Sequence, residues 1–451
     1  MKNNNISILG AGLIGSLLGI YLKRCGLDVT IYEKRPDSRK IETQGAGRSI
    51  NMALSDRGWK AIDKLGLREK VQPLTIPMAG RRIHDEHGNT TLIPYGKSDQ
   101  AIYSISRQKF NELLMDEAEK SGAKFQFDHQ CEDIDINSHV IRFSLPGNQM
   151  KMENAGVIIG ADGAYSALRN ALQRQTRFNF KQQYISHGYK ELTIPPTAEG
   201  DFAMDPNALH IWPRGRFMLI ALPNLDKSFT CTLFLPFEGS KVCFDKIVDA
   251  RDVAGIFKTY FDDAYRMMPN LVEEYFKNPV SALINVDCYP WTKNKNLLIG
   301  DACHAMVPFF GQGMNCGFED CFILNELIEK YGTTSWELIF SKFQKARKPD
   351  TDAISQMAMA NFTEMRDSVA DPKFIIRKKI EAKLHSLYPE EWIPLYTMVT
   401  FSDMKYSDAF AQGKLQESVM DKVMEDPLIT QTWQNLDFDR IIEKVETSKA
   451  F

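Results

Sequence analysis

The chain opens with short apolar runs at strand and helix periods. Ile6-Ser7-Ile8-Leu9 reads as a buried strand, residues 13–22 carry helical periodicity, and Val29-Thr30-Ile31-Tyr32 reads as a second strand, which together predict a βαβ unit. The polar stretch 35–47 has no period and predicts a loop, whereas 57–67 and 108–121 predict helices. From Tyr184 to Phe237 the texture changes: His210-Ile211-Trp212, 217–222 and 229–234 are strand-like runs separated by Pro, Gly and Asn, the signature of an antiparallel sheet. Two further apolar runs, Val157-Ile158-Ile159 and Leu297-Leu298-Ile299, each end in Gly and a nearby Asp. From Trp336 to Glu446 the pattern is mainly helical, with Pro349, Pro372, Pro389 and Pro394 predicted as breaks. No internal repeat or low-complexity tract is visible.

At 451 residues the chain exceeds what one core usually holds, so two or three domains are expected. With 55 basic against 58 acidic residues, the formal charge of −3 gives no electrostatic case for a nucleic-acid partner. The eight cysteines form no C-x-x-C pair and no zinc-type cluster with His, so reduced core thiols and no metal are expected. The first five residues run straight into an apolar strand without a signal-peptide pattern, and no apolar stretch approaches the ~18 residues of a membrane span. A soluble, cytoplasmic protein without a membrane anchor is expected.

Gly10-Ala11-Gly12-Leu13-Ile14-Gly15 sits between the first strand and helix. Gly10 allows the tight turn, Gly12 lets backbone approach a pyrophosphate, and Gly15 lets the helix pack closely on the sheet. The helix N-terminus then faces the phosphates with free N–H groups. Glu33 ends the second strand, where an acid hydrogen-bonds a ribose and disfavours a 2′-phosphate, leaving FAD or NAD as the ligand. Two more strand-end sites follow, Gly160-Ala161-Asp162-Gly163 and the stretch from Gly300-Asp301 to Asn315.

A Rossmann fingerprint with two widely separated strand-end Gly–Asp sites resembles the FAD-dependent aromatic hydroxylases related to p-hydroxybenzoate hydroxylase. The resemblance implies an α/β fold: a Rossmann-type FAD-binding domain, an inserted, mainly antiparallel β-sheet substrate domain and a C-terminal helical region. Residues 1–70, 100–180 and 290–370 are expected in the first, 71–99 and 181–289 in the second, and 371–451 in the third. It also implies FAD contacts for Gly10, Gly12, Leu13, Ile14, Gly15, Glu33, Lys34, Arg35, Ala53, Arg107, Asp162, Asp301, Gly311, Gly313, Met314 and Asn315. Backbone N–H groups of Gly311 to Asn315 would lie near the flavin pyrimidine edge, where they stabilise negative charge.

Within that family, Gly47-Arg48-Ser49-Ile50-Asn51-Met52-Ala53-Leu54-Ser55, His187-Gly188-Tyr189-Lys190-Glu191-Leu192, 308–315 and 393–401 are similar to the branch that hydroxylates kynurenine. The branch implies NADPH- and O2-consuming hydroxylation of L-kynurenine to 3-hydroxy-L-kynurenine through a flavin C4a-hydroperoxide, a step of tryptophan degradation towards quinolinate and NAD. By the same resemblance Arg81 holds the substrate carboxylate, with Tyr95, Asn361 and Tyr396 completing the clamp. Arg82 competes with Arg81 on sequence grounds. Met218, Ile220 and Leu222 alternate and so share a strand face. With Leu209, Phe234, Pro308, Phe309 and Met365 they would enclose the aromatic ring. No residue is expected to act as a strong acid or base, and His304 reads as support for its turn. A hydroxylase for another aromatic acid and a non-catalytic FAD-binding redox sensor remain alternatives. The oligomeric state stays open, a homodimer included.

Overall fold

The computed structural model describes residues 5–40, 51–95, 100–367 and 372–449, except for the side chains of 365–367, 372, 375, 448 and 449. Its first layer is a six-stranded sheet in the order Thr292–Lys293, Asn296–Leu298, Val157–Gly160, Asn5–Leu9, Asp28–Tyr32 and Lys124–Gln126. The strands from Asn296–Leu298 to Lys124–Gln126 pair in parallel, as continuous apolar runs between helices require. Asn5–Leu9 lies at its centre, and the chain departs from it to both sides. The loops after Leu9 and Gly160 therefore flank a crevice at the carboxyl ends of the strands.

The second layer is a seven-stranded sheet in the order Ser281–Tyr289, Asn179–Ile194, Phe229–Pro236, Phe217–Pro223, Ala208–Arg214, Gly80–His84 and Thr90–Pro94. It is antiparallel except where Gly80–His84 runs parallel to Ala208–Arg214. Period-two alternation splits it cleanly. Leu192, Ile194, Trp212, Leu219, Ala221, Phe229, Cys231, Leu233 and Leu235 point to a back core with Val253, Phe257, Phe261 and Leu271. Those last four come from the helices Ala250–Tyr260 and Leu271–Lys277 and from Phe261 between helices. These helices cover the back face of the mainly antiparallel sheet, which its apolar side chains need to leave water.

A small sheet of Asn51–Leu54, Ile102–Ser106 and Thr75–Met78 joins the two layers. Asn51 Nδ2 donates to Ser104 Oγ, Pro223 O and Asn224 Oδ1, tying it to the larger sheet. Trp336–Asp367 is one 32-residue helix that continues through Pro349. The predicted break fails there because the segment is held by buried ion pairs on the same turns: Arg347 meets Glu319, Asp320 and Asp350. Pro372 instead starts a helix and Pro394 caps one. The last helices share a core of Ile380, Leu384, Trp392, Met420, Ile429 and Val445. No helix among the described residues is long and apolar enough to cross a membrane. All eight cysteines are unbridged.

Two outcomes test this packing. Arg347→Leu strands the buried Asp320 carboxylate, so chemical denaturation should show a loss of about 3–5 kcal/mol. On the back face, burial pushes His210 down from 6.5 to about 4. Between those two values the unfolded chain takes up a proton that the fold refuses, so stability falls as the pH drops through that window. Thermal melting of His210→Asn should show a flatter pH dependence there than the parent protein.

Candidate functional site at the junction of two sheets

The first glycine turn is built as its sequence predicts. Gly10 has φ +98° and a Cβ there would lie 2.5 Å from Ala161 O. A Cβ on Gly15 would run into Gly10 O, whereas Gly12 faces open space. The helix Leu13–Arg24 begins at Gly12 with no side-chain cap. Its first internal hydrogen bond is Ser16 N–H to Gly12 O at 2.9 Å, so the N–H groups of Leu13, Ile14 and Gly15 lie ahead of it. Glu33 is buried, and its Oε2 accepts from Ala11 N–H at 3.0 Å. Its Oε1 accepts from Arg35 N–H and Arg35 Nε, which turns the exposed Arg35 back over the strand end. Lys34 beside it is exposed.

The chain's distant third motif meets this turn directly. Gly300 has φ +61°, and Cβ atoms on Gly300 or Gly317 would press on Ile14, so these glycines form the notch in which Ile14 sits. Asp301 follows as an exposed residue opening the turn Asp301–His304. The helix Gly313–Tyr331 also starts without a side-chain cap, and Cys316 N–H closes its first bond onto Gln312 O at 2.8 Å. The N–H groups of Gly313, Met314 and Asn315 therefore precede the helical ladder. Asn315 has a structural duty too: its Oδ1 accepts from Ser55 N–H, and its Nδ2 donates to Ala53 O and Gly311 O.

Asp162 sits at the second strand end with Oδ2 accepting from Ala167 N–H at 2.7 Å and Oδ1 buried without a partner among the described residues. Burial raises its carboxyl above the ordinary value. Arg107 is an exposed first residue of the helix Arg107–Lys120 and forms no ion pair among the described residues. Two uncapped helix starts, a glycine turn open at Gly12 and an acid at the second strand end together fit a dinucleotide such as FAD.

On the front face of the larger sheet lies an aromatic clamp. The Arg81 guanidinium stands 4.1 Å from the Tyr396 ring centroid and 5.4 Å from that of Tyr95. The two rings stack at 5.3 Å. Among the described residues no carboxylate meets Arg81, whereas Arg82 points to the other face and bridges Asp205 at 2.7 Å. The two adjacent arginines thus differ in surroundings: Arg82 is paired with Asp205, and Arg81 lies against two tyrosine rings. Burial pushes the Tyr95 phenol well above its ordinary range, so it stays a donor, with the Arg81 guanidinium and Tyr396 beside its oxygen.

The slot beside the clamp is apolar. Leu222 packs with Met78, Tyr95 and Ile102, against Leu209, Ile220, Tyr396 and Phe401. Met218 and Phe234 pack with Val307 and Phe310, against Ile220, Phe309 and Tyr396. Ile220 and Tyr396 belong to both groups, which makes them one wall. Phe309 lies 5.2 Å from Phe234 and stacks on Phe362 at 4.7 Å. Pro308 starts the tight turn carrying it, and Asn361 Nδ2 donates to Phe309 O at 2.5 Å. Asn361 is thereby tied to the turn that carries Phe309. The side chain of Met365 and residues 47–50 lie outside the described residues. Sequence reasoning passed over Phe310 and Phe401, whose rings lie 5.6 and 6.2 Å from Tyr396, although both fall inside motifs it had marked.

His304, Cys316 and Asp320 gather beneath the Gly300 turn with ligand atoms within 4.8 Å of one another. Asp320 already accepts from His304 Nε2 at 2.6 Å, Arg347 Nε at 2.7 Å and Gly300 N–H at 3.2 Å, so the trio braces the turn.

The family model described as the FAD binding domain matches residues 3–231 and 277–357. The kynurenine 3-monooxygenase of Flavobacterium johnsoniae is 44% identical over 444 residues, covering 98% of this chain and 98% of that one. That of Sus scrofa is 44% identical over 428 residues, covering 94% and 89%. The chain belongs to the kynurenine 3-monooxygenase family. Among solved structures, 2-methyl-3-hydroxypyridine-5-carboxylic acid oxygenase matches with a TM-score of 0.66 at 19% identity, over 82% of this chain and 95% of that one. Tetracycline destructase Tet(55) matches with a TM-score of 0.65 at 16% identity, over 90% and 98%. Both share the fold of this kynurenine 3-monooxygenase family member.

The glycine turn makes one claim that binding can check. Gly15→Ala forces its methyl into Gly10 O. Fluorescence titration of the apoprotein should show FAD affinity reduced by about tenfold or more, some 1.4 kcal/mol.

Proposed function

We infer that this protein hydroxylates L-kynurenine at ring carbon 3, consuming NADPH and O2 and forming 3-hydroxy-L-kynurenine and water. The observation that carries this reading is the Arg81 cation, set beside two stacked tyrosine rings without an acid partner among the described residues, at the rim of an apolar slot. An amphiphilic aromatic amino acid matches that arrangement: its carboxylate neutralises Arg81 and its ring fills the slot.

FAD, when bound, would supply the redox chemistry between NADPH and O2. The turn Gly10 to Gly15 with Glu33, and Arg107, would hold its diphosphate and ribose end. Lys34, Arg35, Ala53, Asp162 and Asp301 border the same crevice. The N-terminus of the helix Gly313–Tyr331 would place Met314 and Asn315 N–H groups at the end where negative charge grows. Tyr95 donates from its phenol to the substrate carboxylate, with Tyr396 and Asn361 bounding the amino-acid end. Leu209, Met218, Ile220, Leu222, Phe234, Pro308 and Phe309 keep the ring in place and keep water out. The substrate's ring amine already activates the neighbouring carbon, so positioning suffices and no strong acid or base is required of the protein.

The decisive assay is product analysis with L-kynurenine, NADPH and air. Formation of 3-hydroxykynurenine is expected, and a screen in which another aromatic acid alone drives coupled NADPH oxidation would overturn the substrate assignment. Arg81→Ala should raise the KM for kynurenine roughly 10- to 100-fold, the worth of hydrogen bonds to a charged group, while Arg82→Ala should change it far less.

A further inference from the structure

The wall of the aromatic slot changes character along one row of the sheet. Register places Ile83 beside Ile211, Ile211 beside Ile220, Ile220 beside Thr232 and Thr232 beside Glu191. All five side chains therefore point to the front face, the face that carries Arg81 and Leu209. Three apolar residues are followed by a hydroxyl and a carboxyl. Neighbouring strands are ~4.8 Å apart, so Thr232 lies about 14 Å and Glu191 about 19 Å across the sheet from the strand of Arg81. The Arg81 guanidinium lies 4.1 Å from the Tyr396 ring centroid, and Tyr396 packs in one group with Ile220, so the charge leans from its own strand toward the middle of the face.

Glu191 is placed as a ligand group would be. Its backbone is fixed, because Asn278 Nδ2 donates to Glu191 O at 2.8 Å. Its side chain is half-buried and has no hydrogen bond or ion pair among the described residues. The titratable groups that influence this stretch of the face are Arg107 and Tyr189, and neither is bonded to it. Burial raises the Glu191 carboxyl above the ordinary glutamate value, with Arg107 opposing. A half-buried carboxyl with no protein partner among the described residues on this face is open to water, and a ligand that displaces the water must satisfy it.

Resting on the kynurenine reading above, we propose that Glu191 accepts a hydrogen bond from the ring amine of the substrate and so selects ortho-amino aryl ketones over unsubstituted ones. The chemistry of the substrate matches. One amine N–H is engaged by the neighbouring ketone oxygen, and the other needs an acceptor once the slot has removed water. Holding that N–H also fixes the ring's rotation, and with it which carbon next to the amine is presented for hydroxylation. Glu191 is thus a specificity-determining residue at the opposite end of the substrate from Arg81.

The experiment compares L-kynurenine with 2-amino-4-oxo-4-phenylbutanoate, the same molecule without its ring amine. Dissociation constants for both are measured on the oxidised holoenzyme by calorimetry, in the parent protein and in Glu191→Leu, Glu191→Ala and Glu191→Gln. The parent should bind kynurenine roughly tenfold tighter than the analogue, the cost of one unsatisfied buried donor. Glu191→Leu and Glu191→Ala should bring the ratio close to one by weakening kynurenine alone, with Glu191→Ala deciding if the leucine variant does not fold. Glu191→Gln keeps an acceptor oxygen and should retain the preference. A ratio unchanged in the leucine and alanine variants, or equal weakening of both ligands, overturns the assignment. Kynurenine failing to bind the parent would instead sink the substrate reading itself.

Discussion

A single buried guanidinium holds the site together. Arg347 donates to Asp320 at 2.7 Å and meets Glu319 at 2.7 Å and Asp350 at 3.3 Å. Each acid then reaches elsewhere. Asp320 fixes the Gly300 turn and His304, Glu319 takes Arg57 at 2.8 Å, and Asp350 accepts from Ser407 N–H and Oγ. Arg57 also donates to Val399 O and Met404 O and lies 4.0 Å from the Tyr406 ring centroid. Turn, helix start and the segment carrying Tyr396 are thereby bound to one charge. Such a network is costly to desolvate, and the mutual pairing of its charges makes it tolerable. Burial alone would raise Asp320, but His304 and Arg347 more than offset it and hold the carboxyl below its usual value.

That constraint explains why a cofactor site and a substrate site can share a border. Ile14, from the first helix, is seated against Gly300 and Gly317, so the two ends of the nucleotide crevice are packed directly on one another. Asn315 extends the same contact to Ala53 and Ser55. The front face of the larger sheet then closes over the Pro308–Phe310 turn through Phe234 and Phe309. Packing, rather than any one polar contact, sets the distance between the crevice and the slot, and close-packed interiors resist the small shifts that would misplace a ring. The aromatic clamp is less rigidly enforced: Arg81 is held by two ring faces and no carboxylate, which leaves its charge available.

Much of this was legible in the residues. The glycine turn, the strand-end acids and the shared face of Met218, Ile220 and Leu222 follow from rules of one or two turns or strands, because φ sign and side-chain period are local properties. The βαβ start and the antiparallel run from Ala208 onward are apparent for the same reason. Resemblance to relatives then pointed to Arg81, Tyr95 and Tyr396, residues far apart in the chain that no periodicity could associate. Pro349 misled because a local helix breaker was outweighed by ion pairs to partners outside its own helix. The helices between Ala250 and Lys277 escaped notice because strand-like neighbours dominated the texture of that region.

Sequence alone therefore established the elements, the cofactor turn and the candidate residues, since each depends on chain-local sterics and on the period of apolar side chains. Long-range pairing decided the surroundings of each residue. Arg81 and Arg82 are adjacent and chemically identical, and they differ only because one meets Asp205 across the sheet while the other meets two tyrosine rings. Glu191 and Thr232 became neighbours of Ile220 only when strand register placed them in one row. Which charges are satisfied and which are left for a ligand depends on partners brought together from distant parts of the chain, and that is a property of the folded packing rather than of any local stretch of residues.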